Sequence, residues 1–171
     1  MIAGNNQLRG TFPTELGQLS LLEEFNIAGT ALSGTLPSEL GGLASLRVWR
    51  AAKTSLSGPL PTEIGLCTSL ETLALLESNF SGQLPSELGE LTSLTWLNGN
   101  SNRFSGTLPT ELGRWTSFEL GLMLSSGNLT GPIPSEIVGV MCSCGLLSES
   151  LLIALFCCSS LYLLTRETLA K

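Results

Sequence analysis

Apolar residues return along this chain at a fixed long interval. Proline marks it most clearly, at 13, 37, 61, 85, 109 and 134, with spacings of 24, 24, 24, 24 and 25 residues. A glycine lies three residues before each proline: Gly10, Gly34, Gly58, Gly82, Gly106 and Gly131. A glutamate lies two after each: Glu15, Glu39, Glu63, Glu87, Glu111 and Glu136. Between the markers the apolar positions keep register. One interval carries Leu19, Leu22, Phe25, Ile27, Leu32 and Leu36, and the next Leu43, Leu46, Trp49, Ala51, Leu56 and Leu60. Then come Cys67, Leu70, Leu73, Leu75, Phe80 and Leu84, followed by Leu91, Leu94, Leu97, Phe104 and Leu108. The last interval has Trp115, Phe118, Leu122, Leu124, Leu129 and Ile133, with one extra residue between Phe118 and Leu122.

A period in this range, held over most of the chain, predicts a solenoid. Pairs such as Phe25 with Ile27 and Leu73 with Leu75 alternate with period two, as a half-buried strand requires. The glycine permits a backbone conformation that a side chain would hinder. The proline fixes φ and stops a helix from continuing. No interval can bury its leucines alone, so neighbouring turns must stack.

These residues, over about positions 1 to 139, resemble the plant-type leucine-rich repeat, LxxLxxLxLxxNxLxGxIPxxLG. The resemblance implies an α/β, right-handed solenoid with a concave parallel sheet and convex turns or 3₁₀ segments. It also implies a ladder of asparagines bonding backbone groups inside the coil. Here that position reads Asn6, Thr30, Thr54, Ser78, Asn102 and Gly127. Hydroxyls can do part of that work and glycine cannot, so a looser C-terminal turn is expected. Met1 and Ala3 fall where two strand leucines belong, with no terminal cap before them. The chain therefore reads as a fragment, or as a gene model lacking its 5′ end. Its N-terminus has no basic or apolar segment of the signal-peptide kind.

After Gly139 the register decays into residues 140–171, read as a degenerate turn and an apolar helical tail. Leu151 to Leu164 is a nearly unbroken apolar run, followed by Arg166 and Lys171. It is open to three readings: a helix capping the stack, a membrane span reaching back to Ile137, or a translation artefact. Fourteen residues fall short of the roughly 20 a span needs. Extension to Ile137 puts Glu149 near mid-membrane, at about 2.5–3.5 kcal/mol, which several leucines could offset. Membrane association through 137–164 thus stands beside the buried cap.

The net charge of −6 and eight dispersed cations leave no electrostatic footprint for nucleic acid. Histidine is absent, and every acid is a glutamate. The commonest general base and metal ligand are missing, so no enzyme, metal site or cofactor is expected. The cysteines are Cys67, Cys142, Cys144, Cys157 and Cys158. None forms a CxxC pair; buried or unpaired thiols are the simpler reading, and a disulfide at Cys142 or Cys144 the other. No kinase glycine loop, HRD or DFG is present.

The resemblance implies a protein- or peptide-binding module of a receptor-like protein, its ligand held on the concave face. Of the residues flanking the strand leucines there, Asn26, Arg50, Lys53, Trp96 and Asn98 are the candidates. A tryptophan beside amide and guanidinium donors suits a binding hot spot. The plainer reading is a solvated face, with Arg50 and Lys53 answering Glu24 and Glu77. The proline-following glutamates form a rim that favours solubility. Asn79-Phe80-Ser81 and Asn128-Leu129-Thr130 are glycosylation sequons, which chance could also supply in a Ser/Thr-rich repeat. Used sequons would place the solenoid outside the cell or at the plasma membrane. A cytoplasmic scaffold is the alternative.

Overall fold

A computed structural model of the chain describes residues 1–117, 121–125 and 127–143. The expectations for Phe118, the Cys142 side chain, the apolar run and the cysteines from Cys144 onward lie outside what is described. Each turn starts with a three-residue strand at the alternating apolar pair. These strands are Glu24–Asn26, Val48–Arg50, Thr72–Ala74, Trp96–Asn98 and Gly121–Met123. They form one parallel five-stranded sheet in sequence order. Its register repeats from turn to turn: Phe25 faces Trp49, Trp49 faces Leu73, Leu73 faces Leu97 and Leu97 faces Leu122. Ile2 joins its edge by a bridge to Asn26.

A second parallel sheet of six strands runs through Arg9–Gly10, Ala31–Gly34, Ser55–Gly58, Asn79–Gly82, Arg103–Gly106 and Asn128–Leu129. Here Ser33 faces Ser55 and Ser57 faces Asn79. The partners are two residues short of the repeat, so equivalent side chains on this sheet stand diagonally rather than abreast. The third side of each turn is a 3₁₀ segment: Thr14–Gln18, Ser38–Gly42, Thr62–Leu66, Ser86–Glu90 and Thr110–Arg114. Each follows a proline in extended conformation. The first bond in each runs back to that proline's carbonyl, as from Leu88 N to Pro85 O at 3.1 Å. The glycine at the fourth position after the proline lets adjacent turns meet backbone to backbone. A Cβ on Gly89 would lie 2.3 Å from the Glu111 carbonyl oxygen.

After Pro134 this position holds Val138, and an α-helix, α1 (Ser135–Ser143), replaces the 3₁₀ segment. It packs on Thr110–Arg114 and buries Ile137. No helix among the described residues is long and apolar enough to cross a membrane.

The apolar positions form one continuous core from Phe12 to Ile137. Fully burying each large side chain contributes about 1.5–3 kcal/mol. The ring of Phe80 stacks on Phe104 at 6.4 Å, and Phe12 meets Phe25 edge-on at 5.8 Å. Leu19, expected inside with its equivalents, is instead 42% exposed, whereas Leu43 and Leu91 are buried. Its turn has a neighbour on one side only at that level.

Inside the coil the asparagine position does bond backbone groups. Asn102 Nδ2 donates to Leu75 O at 2.8 Å and Gly99 O at 3.1 Å, and its Oδ1 accepts from Phe80 N at 3.0 Å. It therefore ties its own turn to the one before. The hydroxyls do part of this: Ser78 Oγ donates to Ala51 O at 3.2 Å and lies 3.0 Å from Thr54 Oγ1. Thr30 reaches only its own turn, through Ile27 O.

One residue before the ladder the backbone turns left-handed in every turn where it is described. Asn5, Lys53, Glu77 and Ser101 have φ of 54 to 56°, and Gly29 has 69°. Asparagine and glycine tolerate this; lysine and glutamate do so at about 1 kcal/mol or more.

Two substitutions separate these effects by urea unfolding. Asn102→Ala leaves buried carbonyls and the Phe80 amide unpaired, and lowers stability by about 3 kcal/mol. Glu77→Gly relieves the left-handed strain, outweighs the lost exposed contact to Lys53, and raises stability by about 0.5 kcal/mol.

Candidate functional site

The five-stranded sheet presents its outward residues in straight rows, because its register follows the repeat. Before the inward apolar residue the row reads Glu24, Val48, Thr72, Trp96 and Gly121. After it the row reads Asn26, Arg50, Ala74, Asn98 and Met123. Equivalent positions in such a row lie ~4.8 Å apart.

Charge occupies one half of this face and is paired there. Arg50 Nη1 donates to Glu24 Oε1 at 2.7 Å. At the neighbouring edge Arg47 grips Glu71 through two bonds, at 2.8 and 3.0 Å. Lys53 Nζ lies 3.8 Å from Glu77, with both side chains more than half exposed. Arg114 pairs with Glu90 on the 3₁₀ side. Exposed pairs like these contribute at most about 1 kcal/mol each, so they can open for a partner.

Among the sequence candidates, Asn26 and Asn98 have a structural task. Asn26 Oδ1 accepts from Ala28 N, and Asn98 Oδ1 from Asn100 N, both at 3.1 Å. Each shapes the exit of its strand by a short side-chain turn. Asn98 is only 7% exposed. Trp96 stands half-buried between Thr72 and Gly121. Gly121 offers no side chain to cover the indole from that position. Arg50 and Lys53 lie in the charged half, about two turns from Trp96. The candidates thus fall into two groups, one ionic and one around Trp96.

Met123 stands in the row next to that of Trp96, and Leu76, Asn100 and Ser125 lie just beyond the strand ends; the sequence reading did not single them out. Leu76, Asn100, Met123 and Ser125 are half-buried, and none carries charge. Asn100 Oδ1 accepts from Ser125 N at 2.7 Å. The signal was available in their shared row positions, but small and amide residues there look like neutral filler.

The sequon asparagines Asn79 and Asn128 are exposed and begin strands of the other sheet, facing Ser57 and Ser105. They lie away from Trp96. The rim glutamates each accept a bond from the preceding hydroxyl, as Ser86 to Glu87 at 3.1 Å and Thr62 to Glu63 at 3.2 Å. Among the described residues no group of three or more His, Cys, Asp or Glu could hold a metal ion. Cys67 is buried, its thiol directed at Leu40 O, and burial pushes its pKa up to about 11 from 9.0.

No protein-family model matches the sequence, nor does any curated protein. Solved structures do. The ectodomain of the membrane receptor kinase GASSHO1/SCHENGEN3 from Arabidopsis thaliana, in complex with CASPARIAN STRIP INTEGRITY FACTOR 2, is 36% identical with a TM-score of 0.78. That match covers 81% of this chain and 16% of the receptor chain. A chain of the BIR3–SERK2 complex from Arabidopsis thaliana is 31% identical with a TM-score of 0.67, over 78% of this chain and 70% of that one. A plant ice-binding protein is 30% identical with a TM-score of 0.74, over 81% of this chain and 45% of that one. This chain therefore spans under a quarter of the length of the peptide-hormone receptors it matches.

The Cys67 thiol predicts an alkaline weakness. Its folded pKa is raised, so its share of stability is complete below pH 9 and falls away between pH 9 and about 11. Urea midpoints should drop across that window in the native chain, and the drop should be smaller in Cys67→Ala.

Proposed function

This chain belongs to the plant-type leucine-rich-repeat family, and on that premise we propose that it is a protein- or peptide-binding module of a receptor-like protein. The ligand lies on the five-stranded sheet, the face expected to be concave. The observation that carries this is the half-buried Trp96, in the outward row between Thr72 and the side-chain-free Gly121, with the uncharged Asn98 and Met123 in the adjacent row. Tryptophan in such a setting loses much water on contact and little entropy, which is the chemistry of a binding anchor. The amide oxygens of Asn98 and Asn100 are used locally, which leaves their NH2 groups as the donors for a partner's carbonyls. Several similar structures are complexes with peptide hormones, which supports a peptide as the occupant.

The role is binding rather than catalysis. With neither histidine nor aspartate in the chain, no serine or cysteine has an ordinary base, and the raised Cys67 pKa removes the one described thiol as a nucleophile. An extracellular or plasma-membrane setting agrees with the two exposed sequons.

Two measurements test this reading. Extended peptides selected on the immobilised chain should lose at least roughly tenfold in affinity on Trp96→Ala. Undiminished binding to Trp96→Ala, combined with loss on substitution of the six-stranded sheet, would show that the wrong face was chosen. Chain secreted from a plant host should lose mass on glycosidase treatment, and Asn79→Gln with Asn128→Gln should abolish that shift. An unglycosylated secreted chain would remove the support from the sequons.

A further inference from the structure

The six-stranded sheet meets the left-handed corner of the coil at a shallow recess of about 580 Å³. Asn6, Gln7, Arg9, Lys53 and Ser55 line it, with the ladder threonines Thr30 and Thr54 at its floor. In a chain of net charge −6, its walls carry two cations and no acid. Arg9 is exposed and forms no ion pair among the described residues. Lys53 has only the 3.8 Å contact to Glu77, which lies outside the lining. Among the described residues the Gln7 side-chain amide and the Ser55 hydroxyl form no hydrogen bond, so two neutral donors are also uncommitted. The floor is closed: Thr30 and Thr54 spend their hydroxyls on Ile27 O and Ala51 O.

Two cations and two free donors around a recess without acids suit one ligand chemistry. We propose that this recess binds a compact oxyanion, the sulfate, phosphate or carboxylate group of a larger ligand. Arg9 supplies a planar fork of donors that matches two oxygens, and Lys53 a point charge from the opposite wall. Gln7 and Ser55 donate to the remaining oxygens. Glu77 acts against the site, because it competes for Lys53. The site stands apart from the Trp96 surface and does not depend on what binds there.

The left-handed backbone at Lys53, φ 55°, gives a variant that removes the charge without endangering the fold. Glycine stands at the equivalent Gly29 and is at ease in this conformation. The test is NMR titration of the intact chain with sodium sulfate, sodium acetate or sodium chloride at matched ionic strength. Sulfate should shift the Gln7, Ala31 and Ser55 amide signals saturably, and chloride should not. Lys53→Gly and Arg9→Gln should each weaken this at least roughly tenfold, with the unfolding midpoint of Lys53→Gly unchanged or raised. Glu77→Gln should tighten it. Arg103→Gln, which removes a cation farther along the same sheet that has no ion pair among the described residues, should leave it unchanged. Saturation by sulfate alone supports the site and assigns it to sulfate or phosphate esters. Saturation by acetate as well supports it for carboxylates too. Equal shifts with chloride, or equal loss in Arg103→Gln, would mean general screening and overturn the proposal.

Discussion

Everything in this molecule follows from one constraint: a single coil of 24 residues cannot hide its own apolar side. Each coil must press its neighbour at backbone distance. Glycine supplies that distance on the 3₁₀ side, where the Glu111 carbonyl occupies the space a Gly89 side chain would need. Parallel strands supply it on the other two sides, and Asn102 and Ser78 reach across the junction to satisfy buried carbonyls. The stack is rigid because three sides are fixed at once. Its stability is a sum of similar neighbour contacts, as expected of a one-dimensional array.

The same rigidity frees the outward residues of the five-stranded sheet. They contribute little to packing, so their identities can vary without loss of the coil. In this chain the variation has sorted them. The half around Arg47, Arg50 and Lys53 is ionic and internally matched, while the half around Trp96 is neutral. A binding face built this way needs no pocket. It needs side chains held at fixed spacing, and the strand register provides that. The corner recess by Arg9 and Lys53 arises from the same geometry, since each coil must turn left-handed just before its ladder residue.

Much of this was legible in the residues. Proline, glycine and glutamate at constant offsets fix the register, and the alternating apolar pair places the strand. The ladder could be read down to its hydroxyl substitutes. Pairs such as Arg47 with Glu71 lie one period apart, so they too were implicit. Other features were not legible. Lysine and glutamate at Lys53 and Glu77 conceal a left-handed backbone that only the asparagine and glycine at Asn5 and Gly29 hint at. The diagonal offset of the six-stranded sheet depends on how the coils tilt, which no single position encodes. Asn98 looked like a free amide, yet its carbonyl oxygen shapes the chain locally, a bond that needs coordinates to see. α1 stands in place of a sixth 3₁₀ segment, and Val138 there occupies the position that glycine holds in the other turns.

Residue-resolved hydrogen exchange tests the stacking most directly. The amides of Ile27, Ala51, Leu75 and Gly99 each donate to a carbonyl of the next coil, at 2.8 Å in every case. If coils are bound chiefly to one another, these four should be among the slowest to exchange. Protection should recur with the 24-residue period and weaken toward Ile2. Protection without that period, or fast exchange at Ala51 and Leu75 beside slow exchange within single coils, would contradict the account.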